Sequence, residues 1–216
     1  MRRRIEIAAG IFVLALAGGC SDTPTAPSVW SPDQVRQQLL AVNLNHAMAG
    51  ARGRLTRWRL PIAVNTNNIA RASEAVNHYE DWSGGVIRFQ RVSGSPPNGL
   101  VFVEGGAREV DQGCTDVRNT GTLAFTPEWD GTSALIGAYT IHLGSDGCTD
   151  ESEGRYGTAY AEHILAHALG IFDHFDGFTG PEGLVDAHAF AVIYNLYANP
   201  IGATAGELVV WPAILP

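Results

Sequence analysis

The order of hydrophobic patterns predicts an α+β domain built on a twisted mixed sheet. Two observations carry this expectation. Segments of period-two alternation follow one another in the middle of the chain, and segments of helical spacing stand before and after them. Strands are therefore not each followed by a helix, as a doubly wound sheet would require. Composition agrees: of 216 residues 45% are hydrophobic and 17% charged, enough for one domain with a core once a leader and a linker are set aside. The net charge is -8 and no basic stripe runs along the chain, which argues against a nucleic-acid partner. The one basic cluster, Arg52, Arg54, Arg57 and Arg59, reads as a solvated connector.

The N-terminus sets the compartment. Arg2, Arg3 and Arg4 precede an apolar run from Ile7 to Leu16. That run falls short of the roughly 20 residues a membrane-spanning helix needs and suits a signal h-region. Ala17-Gly18-Gly19-Cys20 closes it. Small residues ahead of a cysteine resemble a bacterial lipobox, although Ala17 stands where Leu is more usual. The resemblance implies a signal peptide over residues 1–19, a lipidated Cys20, and membrane attachment through that lipid alone. Ser21, in place of a retaining Asp, favours the outer membrane by the same resemblance. Residues 20–30, rich in Ser, Thr, Pro and Ala, read as a tether.

Two cysteines remain, Cys114 and Cys148, both in Gly/Asp-rich turns. In an oxidising compartment they read as one disulfide, closing a loop of about 35 residues and contributing ~3–4 kcal/mol. Two free buried thiols are the alternative. Neither has a second Cys or a His at ligand spacing, so a metal role is not expected.

Residues 31–57 read as an N-terminal helix and linker. Ser31 caps the helix, Pro32 opens it, and Val35, Leu39 and Val42 share a face, as an accessory arm would. The main domain takes residues 58–216. Trp58 to Val64 reads as a strand despite Pro61. Asn67 and Asn68 cap a helix carrying Ile69, Ala72, Val76 and Tyr79, and Gly84-Gly85 stops it. Val86 to Val92 alternates as a half-buried strand, with Ile87 and Phe89 inward. After the turn Ser95-Pro96-Pro97-Asn98-Gly99 come strands at Leu100 to Val103, Gly121 to Thr126 and Leu135 to Leu143. The acidic cluster Asp146, Asp150, Glu151 and Glu153 fits no EF-hand spacing and reads as a solvated turn. A helix from Tyr156 to Gly170 follows, then a Gly/Pro/Asp loop. Asp186 caps a last helix, with Phe190, Ile193, Tyr194 and Tyr197 on one face, and Asn199-Pro200 ends it. The apolar tail from Leu208 packs back on the core.

The chemistry gathers in Ala161-Glu162-His163-Ile164-Leu165-Ala166-His167-Ala168-Leu169-Gly170-Ile171-Phe172-Asp173-His174. Histidines four apart lie on one helix face, so His163 and His167 can reach one metal. Gly170 can take the left-handed conformation that ends the helix. The chain then turns back and offers Asp173 or His174 as a third ligand. A satisfied core pair is the alternative for two histidines in an Ala/Leu helix. His142 and His188 read as packing, and His46 and His78 carry no signal.

This segment resembles the metzincin zinc proteases, whose signature is H-E-x-x-H-x-x-G-x-x-H, or Asp at the last position in the snapalysin-type branch. His163, His167, Gly170 and Asp173 match, and Asp173-His174-Phe175 is similar to the snapalysin continuation. The resemblance extends more loosely over residues 58–200. It implies a metzincin-like zincin domain, zinc as cofactor, and a peptide or protein substrate lying extended at a sheet edge such as Gly121 to Thr126. A monomer is expected. Two positions depart from the signature. Ile164 stands where the family has its general-base glutamate; Glu162 lies on the other side of His163, about 200° away around the helix. The methionine that lies beneath the metal in that family is missing, because Met1 and Met48 are the only methionines and Val185 stands near its place.

General acid–base help contributes roughly 10²- to 10⁴-fold. The chain is therefore expected to be an exported zinc metallopeptidase-like protein of impaired activity, with Asp173 as substitute base if His174 is the ligand. The competing expectations are a pseudoprotease used as a surface binding module and a purely structural lipoprotein.

Overall fold

The computed structural model describes residues 30–50, 52–104, 127–143, 158–179 and 184–211. Signal and tether residues, Cys20, Cys114, Cys148, Gly121 to Thr126 and the acidic cluster at 146–153 lie outside the described residues. Among those described, no helix is long and apolar enough to cross a membrane.

Helix α1, Pro32–Leu39, opens on a reciprocal cap. Ser31 Oγ accepts from the Gln34 amide at 3.3 Å, and the Gln34 side chain accepts from the Ser31 amide at 2.8 Å. It runs on into a π-helical turn, Leu40–Leu44. Strand β1 is Ile62–Asn65, helix α2 Ala70–Trp82, strand β2 Phe89–Arg91 and strand β3 Gly99–Glu104. Strands β4, Glu128–Trp129, and β5, Leu135–Ile136, form an antiparallel ribbon. Strand β6 is Ala138–Leu143 and helix α3 is Thr158–Leu169. A second ribbon, β7 Phe178–Thr179 with β8 Leu184–Val185, precedes helix α4, Ala187–Ala198.

The main sheet has the order β2-β1-β3-β6, and its pairings are all parallel. A mixed sheet was the expectation; the antiparallel pairs stand apart in the two ribbons. The order of strands along a sequence does not encode their direction. Here β1 reaches β2 through α2, and β3 reaches β6 through residues 105–137, which are crossovers rather than hairpins. The molecule is thus a mixed α/β structure on a parallel sheet with four α-helices among the described residues.

Several local expectations shift with the structure. The strand expected at Trp58 to Val64 starts only at Ile62, because Pro61 offers no N–H to a ladder. Asn67 and Asn68 do not cap α2; both take positive φ, 49° and 60°, and the cap is Ile69 without a side-chain bond. Gly137, at φ 93°, divides the expected Leu135 to Leu143 strand into β5 and β6. Leu135, Tyr139, Ile141 and Leu143 are all buried.

The arginine cluster is no free connector, although Arg52, Arg54 and Arg59 are exposed to solvent as expected and only Arg57 is half-buried. Arg54 donates to Gly202 O, and Arg57 donates to Asn199 O and lies over the Tyr197 ring. Arg59 pairs with Asp130 at 2.8 Å, and Arg52 lies over Trp129. Burial lowers the Arg57 pKa from its ordinary value. The segment before β1 is no mere appendage either: Val35, Leu39, Val42, Leu44 and Leu55 belong to the same hydrophobic core as the sheet and the later helices. Trp58 donates from its indole to Ala168 O at 2.8 Å.

Candidate metal centre

Helix α3 runs through the core, buried on nearly all sides. Its two histidines sit four apart, with ring centroids 5.0 Å from each other. His163 is only 4% exposed, His167 is half-buried, and His174 is exposed.

The helix stops at Gly170, at φ 116°. A Cβ there would lie 3.0 Å from Thr56 O and 3.2 Å from Asn43 Nδ2, so both backbone conformation and close approach call for glycine. A helix end leaves carbonyls without intrahelical donors. Here side chains from three places supply them: Trp58 at Ala168 O, Tyr197 at Leu169 O (2.9 Å) and Asn43 at Gly170 O (2.7 Å). Phe172 N then donates to Val42 O at 3.0 Å and turns the chain back.

That turn presents His174 to the helix. Its Nε2 lies 3.1 Å from His163 Nε2 and 3.3 Å from His167 Nε2. Nitrogens bound tetrahedrally at 2.0–2.1 Å from one metal stand about 3.3 Å apart, so the spacing suits an ion between them. His167 Nδ1 lies 2.6 Å from Ile171 O. A carbonyl only accepts, so Nδ1 carries the proton and Nε2 keeps its lone pair. Burial, then the two neighbouring imidazoles, lowers the His163 pKa to about 3; burial lowers that of His167 to about 4. Both rings are neutral at pH 7, the state a metal requires. His163 Nδ1 is buried with no hydrogen-bond partner among the described residues. The donor set of three imidazoles, with His163 and His167 neutral, therefore fits a divalent metal ion; its identity is a separate question.

Of the two loop candidates, one lies with the helix histidines. His174 joins the cluster and Asp173 does not. Asp173 Oδ1 accepts from the His174 amide at 2.8 Å, Oδ2 lies 4.0 Å from His46 Nε2, and the side chain is 65% exposed. Ile164 is packed in the core. Glu162 faces α2, as its register predicted: its Oε1 lies 2.7 Å from His78 Nδ1, and its main-chain O accepts from the Tyr79 hydroxyl at 3.0 Å. His142 lies in β6 and His188 stacks on Trp30, both outside the metal cluster.

Sequence reasoning missed Phe178. Its ring lies 4.3 Å from His163, 4.9 Å from His167 and 5.5 Å from His174, centroid to centroid, and is fully buried. It is the floor of the site. It pairs across the β7–β8 ribbon with Val185, the residue expected near the missing methionine. Gly177, at φ 91°, makes this possible, because a Cβ there would run into the Asp186 carboxylate that caps α4. An aromatic directly after Asp176-Gly177 and four residues past His174 was the available signal. Sequence reasoning also passed over His46 and His78, the partners of Asp173 and Glu162.

Comparison of the chain with models of protein families gave no match, and comparison with curated proteins gave none either.

Proposed function

We propose that the chain is a zinc metallopeptidase-like protein, exported and lipid-anchored, whose peptide-bond hydrolysis is impaired because Ile164 stands in place of a general base. One observation carries the reading: ring nitrogens of the two His of a His-x-x-x-His helix and of a loop beyond its terminal glycine lie within 4.8 Å of one another, with His174 Nε2 3.1 Å and 3.3 Å from the other two. Imidazole ligands in that geometry suit zinc. Zinc, when bound, would polarise a scissile carbonyl and lower the pKa of water toward about 7.

The chain's own residues divide the remaining work unevenly. His163, His167 and His174 hold the ion, and Phe178 closes the site from below against water. His174, the exposed member, marks the side from which a peptide enters. No carboxylate among the described residues joins the cluster, and Asp173 Oδ1 accepts from the backbone of its own loop. This last observation favours a second reading, in which the same site serves a non-catalytic module that binds protein or peptide ligands.

Hydrolysis of an unstructured protein separates the two. Slow cleavage that chelator stops and zinc restores is expected. Ile164→Glu should raise it by about 10²- to 10⁴-fold per folded molecule. Ile164 is 5% exposed, so that variant also loses stability, and the rate must be normalised to folded protein. Zinc-loaded Ile164→Glu without any gain rejects the protease reading in favour of the binding module.

A further inference from the structure

The third ligand is held by a part of the chain far from it in sequence. Loop 170–174 touches the segment between α1 and β1 at successive points. Asn43 Nδ2 donates to Gly170 O at 2.7 Å, Val42 O accepts from Phe172 N at 3.0 Å, and His46 lies against both the Phe172 ring and Asp173. Asn43 is fully buried and fully used. Its Nδ2 donates a second time, to Thr56 O at 2.8 Å, and its Oδ1 accepts from Thr56 N at 2.8 Å.

The local cause is the π-helical turn. Asn45 N donates to Leu40 O, five residues back, at 2.9 Å. Val42, Asn43 and Leu44 are buried in succession within it. The widened turn puts a polar side chain into the core between two apolar ones and aims it at the end of α3.

We propose that this N-terminal arm is a positioning element of the metal centre and that Asn43 is its positioning residue. It holds loop 170–174 in the one conformation that brings His174 to His163 and His167. This rests on the metal reading of the three histidines. It implies reciprocity: if the docked arm tightens metal binding, metal tightens arm docking by the same factor.

The molecule supplies its own control. Asn195 is another fully buried asparagine that staples a distant segment. Its Nδ2 donates to Ala191 O and Trp211 O, and its Oδ1 accepts from Trp211 N. Zinc affinity is measured by competition with a chromophoric chelator for the unaltered protein, Asn43→Ala and Asn195→Ala. Asn43→Ala is expected to weaken zinc binding about 10- to 100-fold, the range for residues that orient metal ligands, and Asn195→Ala by less than about twofold. With cobalt as probe, saturated Asn43→Ala should show the absorption of His174→Ala rather than that of the unaltered protein, a change that lost stability alone does not produce. Equal zinc affinities for the two asparagine variants, or an unaltered cobalt spectrum in Asn43→Ala, overturn the proposal.

Should Asn43→Ala fail to fold, hydrogen exchange on the unaltered protein decides. Zinc is expected to slow exchange of the Phe172 and Thr56 amides more than that of Trp211; equal slowing overturns the proposal. A protein that takes up no zinc at all defeats the metal reading itself. Tight zinc binding that is indifferent to Asn43 defeats only this inference.

Discussion

The two sides of α3 carry the same kinds of side chain and do opposite things with them. Toward loop 170–178, His163 and His167 meet His174 over the Phe178 ring, and no acid among the described residues takes part. Toward α2, Glu162 pairs with His78 at 2.7 Å, and Thr158 Oγ1 donates to Glu74 Oε2 at 2.5 Å one turn away. The first side gathers ring nitrogens around one point. The second uses up its carboxylates in fastening two helices. One residue of register, about 100° of rotation, separates them. An acid adjacent in sequence to a metal-site histidine is therefore not an acid in the site.

The largest effect should fall on the first side. His163→Ala or His174→Ala is expected to abolish stoichiometric zinc after dialysis, while Asp173→Asn retains it. Comparable loss with Asp173→Asn would reassign the loop ligand. Next comes the floor. Phe178→Ala removes a fully buried ring and should cost about 3–5 kcal/mol in denaturant unfolding, with weaker zinc binding in the molecules that remain folded. Phe178→Leu should recover much of the stability but less of the affinity; parallel recovery would reduce Phe178 to packing alone. The smallest effect belongs to the second side. Glu162→Gln should cost less than about 1 kcal/mol, because the His78 partner is largely exposed, and should leave zinc content unchanged. Loss of zinc in Glu162→Gln would erase the distinction between the two sides.

What the sequence made legible were features of short range. Helical spacing placed His163 and His167 together, Gly170 marked the helix end, and Asp186 was recognisable as a cap. The choice between Asp173 and His174 was not legible, because both sit in a turn whose shape is set by Val42 and Asn43, more than a hundred residues earlier. The parallel direction of the sheet stayed hidden for a similar reason: alternation reports which face is buried, not which way a strand runs. The arm read as accessory because its amphipathic face says that it docks, not where. Phe178 went unnoticed because ring stacking leaves no spacing rule in a loop. The arginine cluster was legible as solvent-facing, since Arg52, Arg54 and Arg59 are exposed, but not the separate carbonyl, carboxylate or ring that each also meets.

Two of those arginines, together with Arg36, also tie early segments of the described chain to late ones. Arg36 donates to Ala205 O and Leu208 O, Arg54 to Gly202 O, and Arg57 to Asn199 O. Leu55 N donates to Ala203 O, and Gly202 N to Leu55 O. Segments made first thus wait for segments made last, and contacts so distant in sequence form slowly. A growing chain that has passed residue 174 owns all three histidines yet lacks the strap that seats its N-terminal arm. On the proposed metal reading, capture waits for residues up to 208, and an intermediate stalled short of them would keep its histidines without keeping their geometry.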